Sequence, residues 1–85
     1  MKIILDGKKM VSREETHQYL KETFGFPDYY GKNLDALYDC LTECKGTVRL
    51  LDWDTAESSL GAYGKKAKKV IAAAALHNTA LDLYI

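Results

Sequence analysis

The stretch PDYYGKNLDALYDCLTEC, Pro27 to Cys44, decides how the rest of the chain is read. On a helical wheel at about 100° per residue, Leu34, Leu37, Cys40, Leu41 and Cys44 gather on one side. Lys32, Asp35, Asp39, Thr42 and Glu43 gather opposite, with Tyr38 on the border. The segment is therefore an amphipathic helix, and Asn33 is its natural N-cap. Its polar face is odd. Asp35, Asp39 and Glu43 stand four residues apart, and like charges at that spacing weaken a helix by roughly 0.2–0.5 kcal/mol per pair. Asp35 sits in the first turn, where negative charge suits the helix dipole. Asp39 has no such excuse.

Working outward, MKIILDG reads as a strand that Gly7 ends, its run Ile3, Ile4, Leu5 being that of a strand covered on both faces. SREE, Ser12–Glu15, is a capping box that opens a helix carrying His17, Leu20 and Phe24, stopped by Gly25 and Pro27. His17 reads as a hydrogen-bonded or solvated helix histidine, because no nucleophile is placed to use it. DYYGKN is a loop. Past Gly46, Thr47–Trp53 has the content of a second strand. DTAE, Asp54–Glu57, is a second capping box opening a short helix that Gly61 and Gly64 break. The alanine-rich KKAKKVIAAAAL then forms a long helix that Asn78 caps, and ALDLYI is a closing strand. The order β-α-α-β-α-α-β implies an α/β fold, a small parallel three-stranded sheet packed by about four helices in one domain, residues 1–85.

Composition excludes several classes. With 47% hydrophobic and 28% charged residues the chain has the means to fold, so disorder is not expected. No apolar run reaches the roughly 20 residues of a membrane span, and the N-terminus lacks the apolar core of a signal peptide. The expectation is a cytoplasmic protein with no membrane partner. Cys40 and Cys44, one turn apart without CxxC or histidine partners, read as reduced, buried thiols rather than a zinc site. No phosphate-binding glycine loop is present, and Lys65, Lys66, Lys68 and Lys69 read as a solvated face. Net charge is zero, yet residues 28–54 hold six of the twelve acidic groups against three basic ones. That middle third should attract a basic partner.

The carboxylates alone fit a solvated polar face as well as a binding site. Tyr29, Tyr30 and Tyr38 beside them tip the reading toward a protein-binding surface, since rigid aromatics near charge are common in interface hot spots. Glycosidase-type chemistry lacks a cleft and an opposing carboxylate. Single-stranded nucleic acid meets the wrong sign of charge.

These residues resemble a known family. PDYYGKNLDALYDCLTE is similar to the central motif of the barstar family, small intracellular inhibitors of secreted bacterial ribonucleases. THQYL at Thr16–Leu20 and LLDW at Leu50–Trp53 extend the likeness over essentially the whole chain. The resemblance implies a cytoplasmic inhibitor, monomeric when free, without catalysis or cofactor, whose partner is a small basic secreted ribonuclease of the barnase type. A barstar-like module for another basic protein is the alternative. Carried over by motif, the partner-binding residues are Tyr29, Gly31, Asn33, Leu34, Asp35, Tyr38 and Asp39, and Tyr30, Thr42 and Glu43 beside them complete the expected partner-binding surface. Asp39 is then the carboxylate that stands in for a substrate phosphate. Three departures stand out. Tyr38 replaces the family's usual tryptophan, Glu43–Cys44 replaces a glycine–tryptophan pair, and Ala73, within the run Ala72–Ala75, falls where the best-known member carries an acidic residue.

Overall fold

The computed structural model describes residues 1–84; Ile85, the end of the expected closing strand, lies outside the described residues. The elements are β1 (Lys2–Asp6), a 3-10 turn (Gly7–Lys9), α1 (Arg13–Phe24), α2 (Leu34–Leu41), β2 (Gly46–Leu51), α3 (Trp53–Leu60), α4 (Ala62–His77) and β3 (Leu81–Tyr84). Strand order is β1-β2-β3 with both pairings parallel, Ile3 opposite Val48 and Val48 opposite Leu83. The expected α/β class and element order hold.

The inward row Ile3, Leu5, Val48, Leu50 and Leu81 meets Leu20, Leu37, Leu41, Trp53 and Ile71 from the helices to form the core. Complete burial of a side chain such as Leu37 or Leu41, each 0% exposed, contributes about 1.5–3 kcal/mol apiece. These two residues fix which way α2 faces.

The sheet departs from expectation on its other side. Ile4 is 58% exposed, and Arg49, Leu51 and Tyr84 are exposed with it, so β1 is covered on one face only. Parallel sheets are normally buried on both faces, and three apolar residues in a row could not reveal that one of them points outward. The outer edge of β1 is tied off by Tyr19 of α1, whose hydroxyl accepts from the Asp6 amide (3.0 Å) and donates to the Ile4 carbonyl (3.3 Å).

Two further boundaries differ. β2 ends at Leu51 and Trp53 opens α3, whose N-cap Asp52 takes a left-handed φ of 52° and makes no side-chain cap bond. The box expected at Asp54–Glu57 therefore lies inside the helix. Only Gly61 separates α3 from α4; Gly64 is buried inside α4, where a β-carbon would stand 3.0 Å from the Glu57 α-carbon. Gly64 thus serves a close helix crossing, and its carbonyl accepts from the Trp53 indole (3.1 Å). Asn78 stands at the C-cap of α4 as expected, and its side chain also donates to the carbonyls of Leu41 (3.0 Å) and Cys44 (2.7 Å), at and just beyond the end of α2. At α1 the Ser12 hydroxyl accepts from the Glu15 amide as expected.

Candidate functional site

The loop between α1 and α2 is built from two inward aromatic anchors. Gly25 closes α1 in the left-handed conformation (φ 70°), and the Phe26 amide donates back to the Lys21 carbonyl. Phe26 stacks on Phe24 at 5.1 Å and meets the Tyr30 ring at 4.9 Å. Phe26 and Tyr30 are buried, and the Tyr30 amide closes a turn onto the Pro27 carbonyl. Tyr29, between these anchors, is consequently thrown outward and is 87% exposed. The sequence places Tyr30 among the expected partner contacts. At 5% exposed, with its hydroxyl 2.6 Å from His17 Nδ1, it supports the loop from behind.

The loop then turns into α2 through a tight corner. A β-carbon on Gly31 would sit 3.3 Å from both the Ala36 β-carbon and Asn33 Nδ2, a space that suits glycine. Lys32 takes a left-handed φ of 53°, an unfavourable backbone state for a side-chain-bearing residue. Asn33 caps the helix as expected, its Oδ1 accepting from the Ala36 amide (2.7 Å) and its Nδ2 donating to the Gly31 carbonyl (3.3 Å). Gly31 and Asn33 are exposed, yet their polar groups already organise the corner.

Along α2, Asp35 and Asp39 are exposed while Leu34 and Tyr38 are half-buried. The helix stops at Leu41, so Thr42 and Glu43 lie in the turn beyond it rather than on the helix wheel. Sequence periodicity missed this because the last turn tightens to i→i+3 bonds, Glu43 N–H to the Cys40 carbonyl and Cys44 N–H to that of Leu41. The Thr42 hydroxyl donates to the Asp39 carbonyl (2.7 Å). Glu43 nonetheless faces the same groove as Asp39 and Tyr29, a hollow of about 350 Å³ floored by Phe24, Phe26 and the two cysteines.

His77, absent from the candidate residues read in the sequence, joins this surface. Its Nδ1 lies 3.0 Å from the Tyr38 hydroxyl, with the rings edge to face. Neighbouring Leu76 is 78% exposed. Ala73 stands one turn before His77 on the same face of α4, half-buried. Only the α2–α4 pairing could have signalled His77, and a sequence does not display helix pairing.

The electrostatics are one-sided. Among the described residues the ion pairs are Lys8–Asp52 and Lys21–Asp28, both 3.3 Å, and no cation lies within 4 Å of Asp35, Asp39 or Glu43. Cys40 and Cys44 are half-buried rather than buried. Desolvation, then the Glu43 and Asp39 carboxylates, push the Cys40 thiol up; desolvation, Cys40 and Glu43 do the same for Cys44. Both stay protonated near neutrality, which makes them poor nucleophiles. The described residues contain no cluster of three metal-ligating side chains, and none of their helices is long and apolar enough to cross a membrane.

Fold and surface together define a small α/β protein with a helix-borne acidic face, unpaired among the described residues, beside an outward tyrosine. Comparison with known proteins gives that description a family. The model of the family described as "Barstar (barnase inhibitor)" matches residues 1–82. A Bacillus subtilis (strain 168) protein named "Putative ribonuclease inhibitor YrdF" is 42% identical over 73 residues, covering 82% of this chain and 80% of that protein. The chain belongs to the barstar family.

Proposed function

We propose that this protein is an intracellular inhibitor of a small basic secreted ribonuclease of the barnase type, blocking the enzyme's active site with α2 and the tyrosine loop. One observation carries the reading: three exposed carboxylates, two of them at unfavourable helix spacing, have no cation within 4 Å among the described residues. Such a surface is incomplete alone, and the active site of an enzyme that grips an RNA phosphate supplies the missing positive charge. In this reading Asp39 occupies the phosphate position, flanked by Asp35 and Glu43. Tyr29 covers an enzyme side chain, while Leu34, Tyr38 and Thr42 complete the contact and Gly31 and Asn33 shape the loop. The protein performs no catalysis, binds no cofactor and acts as a cytoplasmic monomer.

The test is a titration of a barnase-type ribonuclease against the purified protein, scored by cleavage of a fluorogenic RNA substrate. Stoichiometric loss of cleavage is expected. Undiminished cleavage by barnase-type enzymes, together with capture of a different basic protein, would transfer the acidic face to that protein.

A further inference from the structure

His17 of α1 is 2% exposed, and both of its ring nitrogens are engaged. Nδ1 lies 2.6 Å from the Tyr30 hydroxyl and Nε2 2.6 Å from the Tyr63 hydroxyl. Tyr63 stands in the first turn of α4, with the Arg13 guanidinium 4.3 Å over its ring. A continuous chain of contacts therefore runs from the loop, through α1, to α4. Its loop end is Tyr30, the residue directly behind Tyr29.

The proton positions follow from satisfaction of buried groups. Among the described residues the Tyr30 hydroxyl has no hydrogen-bond partner other than His17, and Tyr30 is buried. A buried O–H needs an acceptor, so Tyr30 donates to Nδ1 and that nitrogen is bare. The ring proton of neutral His17 is then on Nε2, donating to the Tyr63 oxygen. Tyr63 is half-buried beside an open groove, where its own O–H can reach water. A second proton on His17 has to go to Nδ1. There it displaces the Tyr30 proton, and across the same 2.6 Å the Tyr30 oxygen has to accept where it donated before. The Tyr30 O–H is then turned away from the only acceptor it has among the described residues, a buried donor left unpaired.

We infer that His17 and Tyr63 are positioning residues that lock the Tyr29–Gly31 loop in its binding conformation, and that a proton at His17 Nδ1 undoes the lock. The inference rests on the proposed inhibitory role of that loop. The charges around the ring are mixed. Lys32 of the loop and Arg13 of α1 oppose a positive His17, whereas Glu14 of α1 and Asp35 of α2, lining the same groove of about 460 Å³, favour it. Cys40 lies near Tyr30 and stays neutral. Burial decides the balance: desolvation first, then Lys32, hold His17 below its usual 6.5. The loop is therefore locked at neutral pH and releases as pH falls below 6.5.

The experiment measures dissociation constants for a barnase-type ribonuclease between pH 8 and pH 5 with wild type, Tyr63→Phe, His17→Gln and Asp39→Ala. Tyr63→Phe keeps the ring under Arg13 and removes one hydroxyl, so it preserves the fold. It should bind roughly three- to tenfold more weakly at neutral pH, the equivalent of one hydrogen bond. The ratio of wild-type to His17→Gln affinity cancels the enzyme's own titration. That ratio should be level above pH 7 and fall below pH 6.5. A ratio that is level throughout, or a Tyr63→Phe protein that binds like wild type at every pH, overturns the lock. Wild type that fails to bind while remaining folded overturns the inhibitory reading instead. Protection factors for the amides of residues 29–31 in the free protein then decide the lock alone. Lower protection in Tyr63→Phe upholds it, and unchanged protection overturns it.

Discussion

Replacing Asp39 with alanine should make this protein more stable and much less useful. Asp39 is exposed in the second half of α2, one turn after Asp35, with no cation within 4 Å among the described residues. Its removal relieves one like-charge pair, about 0.2–0.5 kcal/mol. It also exchanges a poor helix former for the best, up to about 0.7 kcal/mol. The bond from the Thr42 hydroxyl goes to the Asp39 backbone carbonyl, so alanine retains it. The fold should gain about 0.5–1 kcal/mol, which for a domain of this size raises Tm by roughly 2–8 °C. Binding moves the other way. A carboxylate desolvated against the enzyme's cationic site leaves those cations unpaired when truncated, a loss of about 3–5 kcal/mol, or roughly 10² to several times 10³ in affinity. Paired thermal melts and inhibition titrations read both quantities. A variant that melts lower than wild type, or inhibits equally well, would refute the claim that Asp39 is kept for a partner at the expense of the helix.

Stopped-flow association with a basic ribonuclease should slow steeply as salt rises while dissociation changes little, because an acidic face steers encounter over a Debye length of about 10 Å at 0.1 M; a level salt series would make the carboxylates bystanders. Ala73→Glu should tighten binding where the enzyme offers a cation opposite α4, by about 0.2–1 kcal/mol for an exposed pair, and calorimetry showing unchanged affinity against two family ribonucleases would confine the interface to residues 29–43. Urea midpoints should be highest near neutral pH and decline below 6.5. Folding holds the His17 pKa below its unfolded value, so the unfolded chain takes up the proton first and stability is lost as pH falls; His17→Gln should flatten that part of the profile, and an unaltered profile would remove His17 as its cause. Gly64→Ala should destabilise by about 1 kcal/mol in chemical denaturation despite its better helix propensity, since the new methyl meets backbone of α3 at 3.0 Å; a stabilised variant would show that the crossing can open.

The layered α/β order was legible because each element carries its own local pattern: Ser12 and Asn33 as caps, Gly25 as a stop, the period of Leu37 and Leu41. The acidic face was legible for the same reason, since a wheel places Asp35 and Asp39 without any tertiary information. What escaped depends on which element lies against which. Gly64 breaks a helix by propensity yet sits inside one because α3 crosses there. Ile4 is as apolar as Ile3 and faces solvent because the helices cover only one side of the sheet. Tyr30 and Tyr29 are the same residue type one position apart, and Phe26 and His17 decide which is buried. His77 became part of the surface through Tyr38, a partner 39 positions away in sequence.

The bond pair that Tyr19 makes with β1 has a consequence for how copies of this chain behave when crowded. A sheet edge is a template, and an unpaired row of amides and carbonyls invites a strand from another molecule. Here one phenolic oxygen occupies the Asp6 amide and the Ile4 carbonyl together, the two groups that an incoming strand would take at that end. Growth of the sheet past β1 requires Tyr19 to be expelled first, with both bonds lost before a new one forms. The ring is carried by α1, so the seal belongs to the folded state and is lost when that helix lifts. Self-association by strand addition is thereby left to the opposite edge, β3, and a polymer of such chains, which needs both edges, would have to displace Tyr19 at every junction.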